Sequence, residues 1–246
     1  PNSWPHRKDS ICAFIHRVDP DIIDMQEVLH HQLEVLKTDL PEYTVVGVGR
    51  EDGKTAGEYA PIFFKQAKYT LLDQNTFWLC EKPDSVGMVG WDAALTRIAT
   101  WVKLQDKKTG QILMVVNTHF DHIGTEARRN SALLIIEKIK EIVGTSPAIL
   151  TGDFNVSEDW DAYKTITNNE FILKDAHKVA GKRTGVDFTY HNFGKIPAEK
   201  CEKIDFIFVT PQIRVISSYI PFSQLNDTLF LSDHNPEIVE LEIEKS

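Results

Sequence analysis

Short apolar runs recur along this chain, most of them too brief for a helix. Only three longer stretches space their apolar residues by three and four. Arg7 to Val18 carries Ile11, Phe14, Ile15 and Val18 on one helical face and is stopped by Pro20. His31 to Leu40 is closed by Pro41, and Glu126 to Val143 ends at Gly144. The remaining runs read as strands: Asp21–Glu27, Tyr43–Val48, Pro61–Phe64, Thr70–Leu72, Ile98–Leu104, Ile112–Val116, Ala148–Leu150, Asp187–Tyr190, Ile204–Val209, Arg214–Tyr219 and Glu237–Ile243. Lys107-Lys108-Thr109-Gly110 is a hairpin turn between two of them. Helices that alternate loosely with many strands, several in hairpins, predict a mixed α/β fold with sheets covered by helices. Neither an internal repeat nor a flexible linker interrupts the 246 residues, so one domain is expected over 1–246.

Charge narrows the function. The chain has 36 acidic and 27 basic side chains, a formal charge of −9. That balance disfavours general coating of DNA or RNA, which depends on clustered Lys and Arg, although a local basic cleft is compatible with it. No apolar run approaches the roughly 20 residues of a membrane span. Cys12, Cys80 and Cys201 are far apart, which makes neither a disulfide framework nor a thiolate zinc site. The first residue is Pro1 and no signal-peptide pattern follows it. The expectation is a chain that was processed or that starts downstream of its true beginning, leaving the compartment open between cytoplasmic and exported.

Polar groups gather where the apolar strands stop. Glu27 closes one strand, Asn117-Thr118-His119-Phe120-Asp121-His122 follows another, and Asp153-Phe154-Asn155 follows a third. Asp233-His234-Asn235 precedes the last strand. Rigid strand ends along one rim are where functional side chains converge. Asp205 lies within the apolar run Ile204–Val209, where an unpaired carboxylate is costly, so it calls for a cationic or hydrogen-bonding partner such as a histidine.

Taken in order, Met25-Gln26-Glu27, Asn117-Thr118-His119, Thr151-Gly152-Asp153-Phe154-Asn155, Ile204-Asp205-Phe206-Ile207-Phe208-Val209 and Ser232-Asp233-His234-Asn235-Pro236 resemble the endonuclease/exonuclease/phosphatase superfamily of metal-dependent phosphoesterases. That resemblance implies a four-layer sandwich, two packed mixed β-sheets flanked by helices, with the active site at one rim. It implies Glu27 as principal metal ligand, Asp233 as a further carboxylate near the metal, and Asp153 as the group that orients or deprotonates the attacking water. Asn155 would bind the phosphate. His119 would be the first catalytic histidine, with Glu58 as its acidic partner, and Asp205 with His234 the second acid–histidine pair. Oxygen-rich ligands without thiolates suit Mg²⁺ or Mn²⁺. The expected partner is a phosphorylated small molecule, sugar or lipid, handled by a monomer, with a nuclease acting on DNA or RNA as the second reading. A binding module that has kept only the fold is disfavoured, because every expected catalytic group is present.

One departure stands out. The family opens with a strand ending in a metal-associated asparagine, whereas the residues before Glu27 read as a loop and a helix; a first strand ahead of residue 1 is therefore expected. Arg97, at a strand start, and Asn117 are the expected substrate contacts. Asn117–His122 falls one histidine short of the zinc string H-x-H-x-D-H, and a zinc reading would leave Asp153, Asp205 and His234 unexplained. Trp78 and Trp91 are read as core or loop anchors, and Arg128 and Arg129 as a solvated helix face.

Overall fold

The computed structural model describes residues 2–144, 146–168 and 173–244. Its main sheet joins β4 (Tyr69–Trp78), β5 (Ile98–Asp106), β6 (Ile112–His119), β7 (Ala148–Asp153), β8 (Lys174–Asp175) and β10 (Asp205–Val209) in the order β4-β5-β6-β7-β10-β8. Every pairing in it is antiparallel except β6 with β7, which the long helix α3 (Thr125–Val143) connects. Such a parallel pair needs a crossover, and the Glu126–Val143 periodicity supplies it. Asp92 Oδ1 accepts from the Ala127 N–H at 2.7 Å, satisfying a donor that the start of α3 leaves open.

On one face of this sheet, α3 and α4 (Asp161–Thr167) bury Ile135, Ile139 and Ile166 against Met114, Leu150, Phe206 and Phe208. On the other face lie two three-stranded sheets. One runs β1-β3-β2, from β1 (Ile22–Asp24), β3 (Ile62–Lys65) and β2 (Tyr43–Val46). The other runs β12-β11-β9, from β12 (Ile238–Ile243), β11 (Ile213–Ile220) and β9 (Lys182–Gly185). Val46 and Phe64 of the first and Val215 of the second share one core with Val102, Leu104 and Val115 of the main sheet. Helices α1 (Trp4–Val18) and α2 (His30–Asp39) close the far side, with Ile15, Leu33 and Leu36 packed on Phe63. The layers are therefore helix, sheet, sheet, helix, as expected, but the second sheet is divided into two halves. Among the described residues β1 pairs only with β3 and β12 only with β11, and a cavity of about 640 Å³ is lined from one side by Ile22 and Asp24 and from the other by Ile238 and Val239.

Several boundaries differ from the sequence reading. The strand expected over Asp21–Glu27 is only Ile22–Asp24, and Glu27 has φ 59°, outside the extended region. The short run at Thr70–Leu72 is the start of a ten-residue strand. No strand forms at Asp187–Tyr190. There the N–H groups of Thr189 and Tyr190 both donate to the Glu202 carbonyl, and Thr189 Oγ1 accepts from the N–H of Ile204 and Asp205, so the segment clamps the start of β10. Helix α5 (Ala176–Val179), together with α4, β8 and β9, was not foreseen.

Candidate active site

Three neighbouring strands of the main sheet end side by side. In register, His119 at the end of β6 lies opposite Asp153 at the end of β7, and Asp153 lies opposite Asp205 at the start of β10. Gly152 makes this register possible. A Cβ there would sit 2.2 Å from the Thr118 carbonyl oxygen, so no larger residue allows β6 and β7 to come this close.

Asp153 is the centre. Its Oδ2 lies 3.5 Å from His119 Nε2 and 3.8 Å from His234 Nε2, and its Oδ1 accepts the Asn155 N–H at 2.9 Å. His234 Nδ1 is 2.7 Å from Asp205 Oδ2, the acid–histidine pair expected from the sequence. Burial raises the Asp153 pKa to about 8, and the nearby Asp205 charge adds to the effect. Burial works against charge on His234, but Asp205, through its field and its hydrogen bond, outweighs it and raises the imidazole to about 10. This ring is an imidazolium at neutral pH with Nε2–H directed toward Asp153. Asn155, in the left-handed region at φ 49°, donates Nδ2–H to the Phe120 carbonyl at 2.9 Å, which fixes its amide beside Asp153.

A second group adjoins the first. Carboxylate and imidazole atoms of Glu27, Glu58 and His119 fall within 4.8 Å of one another, as do those of Asp153, Asp205 and His234. Burial, then Glu58 and Asp233, raise the Glu27 pKa, and the charges of His234 and Arg97 offset this only in part. His119 is held well below its usual value by burial and then by Arg97 and Arg50, so it is a neutral imidazole, and its buried Nδ1 has no partner. Crowded hard oxygens and one free imidazole nitrogen, with no thiolate, fit a divalent cation such as Mg²⁺ or Mn²⁺.

Three expectations are corrected here. Glu58 does not hold His119: its Oε2 accepts from Arg50 Nη1 at 2.5 Å, and the histidine is neutral. Asn117 is fully buried. Its amide donates to the carbonyls of Met25 and Pro61, and its Oδ1 accepts from Gln26 at 2.7 Å, so it ties the Glu27 loop to β6 and does not face a substrate. Asp233, expected near the metal, is close enough to Glu27 and His234 for its charge to raise the pKa of both. Arg128 is buried, donating to the Asp121 carbonyl at 3.0 Å with its guanidinium over the Trp160 ring, whereas Arg129 is exposed as expected.

Arg97 is buried beside the site. Its Nε is 3.4 Å from Asp121 Oδ1, its Nη2 is 3.1 Å from His122 Nδ1, and its Nη1 is buried without a partner. Asp121 also accepts from the N–H groups of Ala94, Ile123 and Gly124. Although burial opposes its charge, those bonds and then Arg97 hold its carboxyl down at about 2. Sequence reasoning missed Arg50 and Lys203. Trp78 Nε1 donates to the Arg50 carbonyl at 2.7 Å, so the tryptophan is an anchor for that residue. Lys203 is buried against Glu237 at 2.7 Å and donates to the Asp205 carbonyl at 2.6 Å, fixing the strand end that carries Asp205. The apolar stretch around Asp205 was a signal for such a partner; a lone arginine in the Gly49–Gly57 loop gave none.

The sequence matches the Endonuclease/Exonuclease/phosphatase family over residues 1–234, and the chain belongs to that family. It is similar to the crystal structure of an endonuclease/exonuclease/phosphatase from Bacteroides vulgatus, at 62% identity and a TM-score of 0.96, over 98% of this chain and 92% of that one. A mannosyl-6-phosphatase from Bacteroides thetaiotaomicron is 36% identical with a TM-score of 0.92, over 98% and 92% of the two chains. The CCR4-Not complex 3'-5'-exoribonuclease subunit Ccr4 of Emericella nidulans is 24% identical over 90% of this chain and 42% of its own length. Members of this family are hydrolases of phosphoesters, generally dependent on a divalent metal ion, and this chain is a hydrolase of that kind. No helix among the described residues is long and apolar enough to cross a membrane.

Proposed function

We propose that this protein hydrolyses the phosphate ester of a small molecule or sugar by in-line attack of water, with Mg²⁺ or Mn²⁺ held by Glu27, Glu58 and the free nitrogen of His119. The carrying observation is Asp153 Oδ2 placed between the ring nitrogens of His119 and His234, with Asp205 behind His234. Phosphoryl transfer asks mainly for positioning and for charge stabilisation on oxygen. In its ionised form, which the raised pKa of about 8 makes the minor one at neutral pH, Asp153 orients the attacking water and accepts its proton. The His234 imidazolium, kept charged by Asp205, donates its Nε2–H to the phosphate oxygens as negative charge develops on them. Asn155 offers its remaining amide hydrogen to the same group. A divalent cation, when bound, supplies a Lewis-acidic charge opposite the phosphate and relieves the repulsion among the Glu27-side carboxylates.

The sugar preference is supported by the 36% identical mannosyl-6-phosphatase and by the formal charge of −9, which suits a nucleic-acid track poorly. The test is a Mg²⁺/Mn²⁺ screen against sugar phosphates, inositol phosphates, phospholipids, RNA and single-stranded DNA. Turnover is expected on the sugar phosphates; cation-dependent cleavage of the polynucleotides alone would establish the nuclease reading in its place.

A further inference from the structure

Tyr190 lies in the cleft beside His234, and the chain around it is tied to both halves of the acid–histidine pair. Thr189 Oγ1 accepts from the Asp205 N–H at 3.1 Å, and the Thr189 carbonyl accepts from the Asn235 N–H at 2.7 Å. On the other side, the N–H groups of His191 and Asn192 donate to the Asp233 carbonyl at 3.0 and 3.1 Å. Tyr190 itself forms isolated bridges with Glu202 and with His234. Its ring rests against the His234 imidazole, with centroids 4.9 Å apart and planes at 48°, close enough for an aromatic ring to favour a cation. The segment is also braced from behind, where His191 Nδ1 accepts from the Gly194 N–H at 3.0 Å and its Nε2 lies 3.0 Å from Ser223 Oγ. Tyr190 is therefore fixed relative to Asp205 and His234 before any ligand arrives.

What this rigid segment presents is a hydroxyl. Tyr43, Tyr59 and Tyr163 each donate theirs to an oxygen of the protein, whereas the Tyr190 hydroxyl has no hydrogen-bond partner among the described residues. Burial and then the charges of Asp233, Asp153 and Glu27 raise its pKa, so it stays an O–H and a donor throughout the working range. We infer that the Tyr190 hydroxyl donates a hydrogen bond to a lateral oxygen of the phosphoryl group, as a further donor beside His234 and Asn155. The inference rests on the phosphoesterase reading and adds a substrate contact to it. Asp153 and Glu27 stand on the two sides of the phosphate position, and the hydroxyl feels both charges, which sets it beside the line between them. In an in-line displacement the attacking and leaving oxygens take the ends of that line, and negative charge spreads over the three oxygens around it. A donor beside the line meets one of those three and not the alcohol, and it acts most strongly as their charge grows.

Tyr190→Phe removes the hydroxyl and keeps the ring on His234. Native protein and variant, each loaded with Mn²⁺, are assayed for kcat/KM on p-nitrophenyl phosphate and on a hexose 6-phosphate from pH 6 to 9. The Kd for inorganic phosphate is measured by titration calorimetry, and the melting temperature of each is recorded. The variant is expected to lose tenfold or more in kcat/KM, by the same factor on both esters and at every pH, with phosphate bound more weakly and Tm unchanged. A loss below threefold would overturn the inference. So would a loss confined to the hexose phosphate, which would put the hydroxyl on the alcohol, or a loss that varies with pH, which would make Tyr190 a positioning residue acting through the charge of His234. Each of these leaves the phosphoesterase reading intact. If the native protein turned over neither ester but bound phosphate more tightly than the variant, the contact would stand and the hydrolytic reading would fall; a native protein that neither hydrolyses the esters nor binds phosphate would sink both.

Discussion

Replacing Asp205 with asparagine should produce a defect whose size depends on pH. Asp205 Oδ2 lies 2.7 Å from His234 Nδ1, and its charge and hydrogen bond come ahead of Asp153 and Asp233 in raising the imidazole, against burial, from 6.5 to about 10. Asparagine keeps an acceptor for Nδ1–H, so the ring stays oriented, but it removes the negative charge. At the ordinary imidazole value of 6.5, His234 would be about 3% protonated at pH 8, so the loss in the active form is up to roughly 30-fold, less what Asp153 and Asp233 still hold up. At pH 6 the same ring would be mostly protonated and the loss less than about twofold. Asp205 also raises the Asp153 pKa, so its removal favours ionised Asp153 at low pH, which moves the ratio in the same direction. The assay is kcat/KM for variant and native enzyme at matched pH values from 5.5 to 9, taken as a ratio so that substrate ionisation cancels. A ratio independent of pH would refute the reasoning, since Asp205 would then act on orientation alone.

Other substitutions probe separate parts of the site. Asp153→Asn should abolish turnover yet leave the melting temperature at pH 7 unchanged or higher, because a carboxyl whose pKa is raised on folding from 3.8 to about 8 costs stability at every pH above its ordinary value; a large drop in Tm would contradict that. Glu27→Gln should shift the Mg²⁺ activation curve to higher concentration, read by metal titration of the rate. Gly152→Ala should destabilise by about 1–3 kcal/mol, measured by urea unfolding, and should also lower kcat by moving Asp153 away from His119. Lys203→Met leaves Glu237 buried and uncompensated and should cost about 3–5 kcal/mol, whereas the double variant Lys203→Met/Glu237→Leu should recover most of it in the same unfolding assay.

Much of the site was readable because its residues sit at strand ends, where apolar runs give way to polar strings. His119, Asp153 and Asp205 come together by sheet register alone, so locating the strands located the residues. Partnerships were less legible. Glu58 was expected on His119, but Arg50 is nearer in space and stronger in charge, and a loop arginine carries no periodic signal. Asn117 opens a string that looks functional, yet the strand's alternation points it into the interior, where it binds the backbone of two other segments. Arg128 was assigned to solvent because Arg residues on helices usually are; the Trp160 ring and the Asp121 carbonyl give it a buried place. The short elements α5, β8 and β9 have too few residues for any pattern to emerge, and the Asp187–Tyr190 run has strand composition but pairs through Tyr190 alone, in isolated bridges to Glu202 and His234.

The divided second sheet bears on how the catalytic rim is gauged. Glu27 follows β1 on one half, and His234 precedes β12 on the other, so the two ends of the cleft ride on separate pieces of sheet. The facing edges of β1 and β12 present unpaired peptide groups to the cavity between them, the kind of edge that accepts a further strand. The width of that gap sets the reach from Glu27 to His234, so substitutions deep in it are expected to register as altered turnover far from any reacting atom.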